Sequence, residues 1–297
     1  MTTHAGLTVP GVEHRTVDVG GAVLHHVTAG RTGSPVLLVH GFPETWWAFR
    51  EVLPLLAASH RVVAVDLRGF GDSSVAADGD GSEVAAQDLH RLIGALGLGP
   101  VHVVGQDLSG GAVFRLAATH PEDVLSLTAI EMGIAGFGLE GLADVTHGGS
   151  WHIGPLAAPG IPELLLAGRE RELIGGWAYP SMTAVPGAVT DADVDELART
   201  YARPGGWRGA AGLYRSMLTE GESLRELARR SPLTVPVLAV GAGGGSFTAD
   251  TMRQVTAGDV ATVQLDGVGH YAAQEAPDQV ADAILTFTAA IDAPTAA

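Results

Sequence analysis

The sequence predicts an α/β fold, in which a mostly parallel, doubly wound sheet carries a helical segment inserted after the sixth strand. Short apolar runs rich in Val alternate with helical patterns, which is typical of such sheets. The alternation stops between residues 133 and 231, where no convincing strand occurs, and it resumes afterwards. The 297 residues, 46% of them hydrophobic, suffice for one large domain with an insertion.

The first half of the chain supplies six predicted strands. An opening hairpin turns at Gly20-Gly21, with strands over Thr16–Val19 and Ala22–Val27. The next four strands are apolar runs of the kind that parallel sheets bury on both faces, at Val36–Val39, Arg61–Val65, Val101–Val104 and Val124–Ile130. Helical periodicity between strands predicts helices over Thr45–Ala58 and Glu83–Leu96.

The second half contains the predicted insertion and the end of the sheet. Within residues 134–231, which we interpret as a lid, the pattern predicts helices over Ile161–Gly175, Asp191–Thr200 and Trp207–Thr219. Two more strands and a last helix follow, at Val235–Val240, Ala261–Leu265 and Pro277–Ile291. Residues 1–133 and 232–297 are therefore expected to form one core domain around the insertion.

Composition narrows the functional classes. A net charge of −16 and a pI near 5.0 argue against nucleic acid and anionic membranes as partners. All 17 basic residues are Arg, so Schiff-base chemistry on Lys is excluded, and there is no Cys for disulfides or thiolate metal sites. The start of the chain resembles no secretory signal, and no apolar run approaches a membrane span, so a cytoplasmic protein is expected.

The most informative stretch is Val101–Gly111, where a buried strand meets a sharp turn and a helical pattern. This is the context of a nucleophile elbow, centred here on Asp107 instead of the usual Ser. Gly105 and Ser109 lie two residues before and after Asp107, where a strained turn needs small side chains. A register centred on Ser109 would move the centre too far past the strand. A plain crossover in which Asp107 caps the helix is the alternative.

A nucleophile also needs a base and a residue that orients the base. His270, preceded by Gly269 after the last strand, is the candidate general base. The simpler alternative is that His270 is an ordinary surface-loop residue, one of the twelve His in the chain. Glu131 ends the sixth strand and is the preferred orienting acid. Asp250 is the alternative acid, although its place early in the next predicted helix is also explained by the helix dipole.

Developing oxyanion charge calls for backbone N–H donors. Phe42, in the turn His40-Gly41-Phe42-Pro43, and Leu108, directly after the candidate nucleophile, are placed for this task. Such a tight turn is also where a cis-proline occurs, so a cis peptide bond before Pro43 is expected.

With these residues assembled, the chain resembles the α/β-hydrolase superfamily and, within it, the epoxide hydrolases. The matching segments are HGFPE at 40–44, DLRGFGDS at 66–73, the elbow at 105–111 and Gly269-His270. The resemblance covers the core, about two thirds of the chain, and implies the α/β-hydrolase fold. Asp107 at the elbow implies enzymes that form an alkyl-enzyme ester, chiefly epoxide hydrolases and dehalogenases.

The resemblance extends to the lid, where epoxide hydrolases place hydrogen-bond donors for the epoxide oxygen. Trp151-His152-Ile153 and Leu213-Tyr214-Arg215 resemble the two lid motifs, which implies His152 and Tyr214 as donors, with Tyr179 in reserve. Each could instead be an ordinary loop or helix residue. The predicted substrate pocket adds a set of mostly aromatic side chains: His40, Trp151, Trp177, Tyr179 and Trp207.

Departures from the related dehalogenases favour an epoxide. Haloalkane dehalogenases place Trp and Asn where this chain has Leu108 and Phe42, and fluoroacetate dehalogenases place Arg where it has Leu108 and Gly111. The implied activity is cofactor-independent and metal-free epoxide hydrolysis to a vicinal diol. The alternatives are a dehalogenase, a non-catalytic ligand-binding protein and, more remotely, a Ser esterase using Ser109. The expected partner is a small-molecule epoxide, with a homodimer left open.

Overall fold

The computed structural model describes residues 6–75 and 80–293, and eight strands in this part of the chain form one sheet in the order β1-β2-β4-β3-β5-β6-β7-β8. The strands β1–β8 span Glu13–Asp18, Val23–Ala29, Pro35–Val39, Arg61–Val65, Val101–Gln106, Val124–Ile130, Val237–Gly241 and Val260–Gln264. The pairs β1/β2 and β2/β4 are antiparallel, whereas every pair from β4 to β8 is parallel. The predicted α/β fold with its opening hairpin is confirmed.

Thirteen α-helices lie in the described residues. Helices α1–α13 span Val52–Leu56, Ser82–Ala95, Gly110–Thr119, Ile153–Ala157, Ile161–Leu166, Glu170–Leu173, Tyr179–Met182, Asp191–Tyr201, Arg208–Thr219, Gly221–Arg230, Phe247–Val255, Ala272–Glu275 and Pro277–Asp292. Short 3₁₀ turns lie between several of them, and a π-helical turn over Ile174–Ala178 joins α6 to α7.

Two predicted helices were wrong in their continuity. The helix predicted over Thr45–Ala58 is a 3₁₀ turn at Trp46–Phe49 followed by the short α1. The helix predicted over Ile161–Gly175 breaks at Gly168, whose φ of +77° belongs to the left-handed region that ends helices. Helix α10 was not predicted at all, although its charged face and its buried residues Leu224 and Leu227 are regularly spaced.

The sheet separates two apolar layers. Helices α2, α3 and α11 pack on one face, where Leu89, Phe114 and Met252 belong to one buried cluster. Helices α1 and α13 pack on the other face, where Leu53 and Ile284 belong to a second cluster. The central strands β3 and β5 are buried along their whole length, as parallel strands covered on both sides must be.

Residues 131–236 leave the sheet after β6 and return to it at β7. They carry helices α4–α10, and no strand longer than an isolated bridge lies among them. Their helices contact the elbow side of the sheet, with α9 against the turn at Asp107–Ser109 and α10 against α3. No helix in the described ranges combines the length and apolarity needed to cross a membrane.

Candidate active site

Asp107 lies at the carboxyl end of β5, in the 3₁₀ turn Asp107–Ser109 that leads into α3. Its φ of +49° lies in the left-handed region, which costs a non-glycine residue roughly 1–3 kcal/mol. The surrounding packing must hold this strained conformation, and it aims the carboxylate into the cavity between sheet and insertion. This is the strand–turn–helix geometry that the sequence predicts for a nucleophile elbow.

The small residues around the elbow are explained by packing. A Cβ on Gly105 would lie 2.7 Å from Val113 Cγ2, so the strand can approach α3 only with glycine there. Ser109 is fully buried, and its hydroxyl donates to the carbonyl of Gln106 at 2.8 Å. The Ser109 hydroxyl therefore does not face the cavity, and the geometry favours the Asp107 register.

A backbone amide is already aimed at the Asp107 carboxylate. Phe42 N donates to Asp107 Oδ2 at 2.7 Å, and the Phe42–Pro43 peptide bond is cis, as predicted. Gly41 makes this approach possible, since a Cβ there would lie 2.6 Å from Oδ2. The Leu108 amide also hydrogen-bonds this carboxylate. The structure thus places both predicted oxyanion donors against the same side chain.

His270 lies between two carboxylates. Its Nε2 is 3.2 Å from Asp107 Oδ1, and its Nδ1 is 3.3 Å from Glu131 Oε2. The backbone N–H of His270 donates to the Met182 carbonyl at 2.9 Å, which ties the loop after β8 to the insertion. Glu275 reinforces this tie by accepting hydrogen bonds from the amides of residues 184, 185, 269 and 271.

Glu131 reaches across the end of the neighbouring strand. It follows β6 with a φ of +45°, and its carboxylate accepts hydrogen bonds from Ala242 N at 2.5 Å and Gly244 N at 2.8 Å, both in the loop after β7. Its side chain is 1% exposed. Asp250, by contrast, is a surface residue of α11 whose carboxylate pairs with Ser246 and Arg253. The geometry therefore favours Glu131 as the partner of His270.

The carboxylates beside His270 influence its protonation, and His270 influences that of Asp107. Burial works against the charged imidazolium, but hydrogen bonds and charge from Asp107 and Glu131 raise the pKa of His270 to about 10. Burial likewise works against the Asp107 carboxylate, and His270 together with the Phe42 and Leu108 amides lowers its pKa despite this. These shifts favour a charged Asp107 carboxylate beside a protonated His270 at neutral pH.

The opposite side of the cavity presents two neutral groups from the insertion. His152 Nε2 lies 2.8 Å from the Tyr214 hydroxyl, and His152 Nδ1 lies 2.6 Å from Ser150 Oγ. Both rings pack on Phe42, with centroids 5.9 Å and 5.2 Å away. Burial lowers the pKa of His152 to about 4 and raises that of Tyr214 well above its usual value. Both side chains are therefore uncharged at neutral pH.

The charged and neutral groups described above border one cavity of about 640 Å³. Asp107, Glu131 and His270 form its charged side, His152 and Tyr214 its neutral side, and much of the remaining lining is apolar. None of the described residues that line this cavity is an Arg, and the sequence contains no Lys. The cavity is therefore suited to an uncharged, mostly apolar molecule.

The predicted pocket aromatics lie elsewhere and need correction. His40 is fully buried beneath the site, where its Nε2 accepts from Leu67 N and its Nδ1 donates to the Gly41 carbonyl. Tyr179 bonds to Gln274 and packs on Tyr271 in the interior. The three Trp side chains are absent from the cavity lining because they pack on other rings of the insertion. Trp177 packs on His152, Trp151 packs on Trp177, and Trp207 packs on Tyr201.

Sequence reasoning missed most of the apolar lining and the role of Ser150. Leu139, Met182 and Met217 border the cavity from three different parts of the insertion, and no local sequence pattern marks them. Ser150 carried a weak signal, since it lies two residues before His152. Buried Glu44, which accepts a hydrogen bond from Gly41 N, was also missed. Its position in the HGFPE turn was the available sequence signal.

Comparison with known proteins places this chain among hydrolases. Residues 34–145 match the family model described as the alpha/beta hydrolase fold. The chain is 30% identical over 294 residues to a soluble epoxide hydrolase from Corynebacterium sp. (strain C12), an alignment that covers 94% of this chain and 98% of that protein. It is 39% identical over 127 residues, 41% of each chain, to a fluoroacetate dehalogenase from Burkholderia sp.

A solved structure shares the fold over almost the whole chain. The crystal structure of wild-type Cfl2 from Burkholderia cenocepacia matches with a TM-score of 0.85 at 32% identity, covering 96% of this chain and 99% of that one. Similarity to the Corynebacterium enzyme runs through the sheet and the insertion alike, since almost the whole length of both chains is aligned. The chain therefore belongs to the epoxide hydrolase family of α/β hydrolases.

Proposed function

We propose that this chain hydrolyses an uncharged epoxide to a vicinal diol through a covalent ester on Asp107. The observation that carries the proposal is the placement of a carboxylate at the elbow opposite two neutral hydrogen-bond donors across one cavity. A carboxylate nucleophile forms an alkyl ester that water can later cleave. The neutral donors suit an oxygen that gains negative charge as the ring opens.

In the first half-reaction, an Asp107 oxygen attacks an epoxide carbon and the carbon–oxygen bond breaks. The electron pair goes to the oxygen, which takes the Tyr214 proton, while His152 donates a second hydrogen bond. The two roles need groups that are uncharged beforehand, and the directions of their pKa shifts support this. The product of this step is a β-hydroxy ester of Asp107.

In the second half-reaction, His270 must be neutral to take a proton from water. Esterification removes the negative charge of Asp107, one of the two carboxylates that raise the pKa of His270, so the imidazolium can release its proton to restore Tyr214. Neutral His270, oriented by Glu131, then takes a proton from the attacking water. The Phe42 and Leu108 amides stabilise the tetrahedral oxyanion. As it collapses, the bond between the ester carbon and the alkyl oxygen breaks, and the departing alkoxide takes the proton of the new Asp107 carboxyl group, which leaves the diol, the Asp107 carboxylate and a protonated His270.

The insertion completes the proposal. We assign residues 134–231 the role of a lid, because they contribute His152 and Tyr214 and cover the carboxyl ends of the central strands. A cytoplasmic location remains a prediction from the sequence. The proposed mechanism uses only side chains, backbone amides and water.

A dehalogenase is the second candidate, since a fluoroacetate dehalogenase aligns over 41% of the chain. A haloacid carries a carboxylate, which would enter a cavity whose described lining contains Asp107 and Glu131 and no Arg. Repulsion by these two groups disfavours such a substrate. A haloalkane would need donors for a departing halide, and the side chains of Phe42 and Leu108 beside the nucleophile offer only carbon.

Turnover in labelled water tests the proposal. With styrene oxide and a large molar excess of enzyme in H₂¹⁸O, the first diol should carry no label, because its new oxygen comes from Asp107. The label should appear in the Asp107 peptide and, in later turnovers, in the diol. Labelled diol in the first turnover would contradict the ester. Halide release from a haloalkane or fluoroacetate, with no diol from any epoxide, would favour the dehalogenase.

A further inference from the structure

A hydroxyl on the insertion contacts the ring nitrogen of His152 that faces away from Tyr214. Ser150 Oγ lies 2.6 Å from Nδ1, and the Ser150 backbone is held by a 2.7 Å hydrogen bond from its N–H to the Leu142 carbonyl. From this geometry we infer that Ser150 is a positioning residue that fixes the tautomer of His152. The inference rests on the proposed function, in which His152 and Tyr214 donate to the epoxide oxygen.

Neutral imidazole has one donor nitrogen and one acceptor nitrogen, so the chain of three groups can adopt two arrangements. In the first, Ser150 donates to Nδ1, the proton of His152 is on Nε2, and the Tyr214 hydroxyl is free to donate into the cavity. In the second, Tyr214 donates to Nε2, Nδ1–H donates to Ser150, and neither ring-opening group presents a proton to the cavity. Only the first arrangement can stabilise an opening epoxide.

The surroundings favour the first arrangement. Burial is the main influence on the pKa of Tyr214 and of His152, but both groups are also close enough to Asp107 to interact with its negative charge. That charge attracts a hydroxyl proton pointing into the cavity and repels an oxygen lone pair pointing there. Ser150 also lines the cavity, so its oxygen can accept a hydrogen bond from water while its O–H donates to Nδ1.

The structural consequence is a division of tasks within the insertion. Tyr214 and His152 contact the reacting oxygen, and Ser150 acts through His152 without touching it. Trp177, with its ring centroid 4.9 Å from that of His152, holds the imidazole plane but offers Nδ1 no hydrogen bond. Removing the Ser150 hydroxyl should therefore leave the ring in place while its tautomer becomes mixed.

A matched pair of variants tests the inference in a His270→Gln background, where the ester would accumulate. Ser150→Ala should form the styrene oxide adduct about two- to tenfold more slowly, since loss of one ordinary hydrogen bond shifts the tautomer ratio about tenfold and turns a ring protonated on Nε2 into a mixture. Ser150→Thr keeps the hydroxyl and should react at the unsubstituted rate. Equal rates for Ser150→Ala and the parent would overturn the inference, provided both show the same thermal midpoint.

The tautomer of His152 can also be measured directly, and it would not change in Ser150→Ala if Ser150 only supported the fold. Long-range ¹⁵N correlations of ring-labelled His152 should show Nε2–H in the wild type and a mixture in Ser150→Ala. A wild-type ring protonated on Nδ1 would overturn the inference whatever the kinetics. If the His270→Gln parent forms no adduct with any epoxide, the proposed function fails instead, and the tautomer spectra still decide what Ser150 does.

Discussion

Two histidines face each other across one cavity and are held in opposite charge states. His270, on the sheet side, lies between two carboxylates, and its pKa is raised to about 10. His152, on the insertion side, lies between two hydroxyls and against aromatic rings, and its pKa is lowered to about 4. The same side chain thus becomes a cation on one side and a neutral donor on the other.

The comparison shows that the sheet and the insertion contribute chemically different groups to the site. The sheet supplies charge, and fixes it with backbone amides at the ends of parallel strands, as Glu131 shows with its two hydrogen bonds from residues 242 and 244. The insertion supplies buried, uncharged donors, and fixes them with side-chain contacts. A covalent ester mechanism needs both, because its nucleophile must be charged and its ring-opening donors must not be.

The largest expected effect is the difference in proton affinity between the two rings. Because carboxylates surround only His270, its ring should stay protonated until the pH approaches about 10, whereas His152 should stay neutral down to about pH 4. Titration of ¹⁵N-labelled histidine by NMR, assigned with His152→Gln and His270→Gln, measures both. Similar midpoints near 6.5 for the two rings would break the comparison.

Removing the charge of Glu131 should have the next largest effect. Glu131→Gln keeps the size of the side chain, but it removes the charge that stabilises the imidazolium and puts an NH2 donor in place of one of the two accepting oxygens, so turnover should fall roughly 10²–10⁴-fold. Ester formation should persist, because Asp107 is untouched, and adduct should accumulate by mass spectrometry.

Asp250→Asn is the matched control, since Asp250 is a surface residue paired with Arg253. Its turnover should match that of the wild type. Loss of activity in Asp250→Asn with none in Glu131→Gln would reverse the assignment of the orienting acid.

On the neutral side of the cavity, Tyr214→Phe should slow ester formation roughly 10²-fold, the usual cost of removing one oxyanion donor. Tyr179→Phe is its comparison, because the Tyr179 hydroxyl bonds to Gln274 outside the cavity. Single-turnover adduct formation should be little changed in Tyr179→Phe, with a lower thermal midpoint. The opposite order would make Tyr179 the ring-opening donor.

A smaller effect concerns Glu44, the buried acid behind the charged side. Burial and the Asp107 charge raise its pKa to about 8, above its ordinary value of 4.5. The folded state therefore binds this proton more tightly than the unfolded state, so its stabilising contribution is complete below pH 4.5 and is lost as the pH rises through 8. Glu44→Gln should flatten the dependence of the free energy of unfolding on pH in that window, by at least about 1 kcal/mol. An unchanged slope in urea titrations would contradict this.

Local pattern sufficed for much of the sheet side. Strand ends can be located from apolar runs, and in a parallel sheet all these ends meet at one edge, so Asp107, Glu131 and His270 could be predicted to converge. The preference for Glu131 over Asp250 also had a local basis, because Asp250 falls within a helix. What could not be predicted was that the Glu131 carboxylate would be held by amides from the loop after β7.

The insertion was less predictable for a physical reason. Its short helices contact one another through side chains from distant positions, so which aromatic faces the cavity depends on tertiary packing. Trp151, Trp177 and Trp207 pack on other rings, and Met182 and Met217 take the cavity positions instead. His152 and Tyr214 were suggested by resemblance to lid motifs, since nothing in their spacing brings them within 2.8 Å of each other.

The most direct test of the account is intact-protein mass spectrometry of His270→Gln mixed with styrene oxide. The account predicts a mass gain equal to the whole epoxide, mapped to the peptide that contains Asp107, and no gain when Asp107→Ala is added. It also predicts that the adduct persists, because the base for hydrolysis is missing. Absence of any adduct across a panel of epoxides, or an adduct that survives Asp107→Ala, would contradict the covalent ester at the centre of the proposed function.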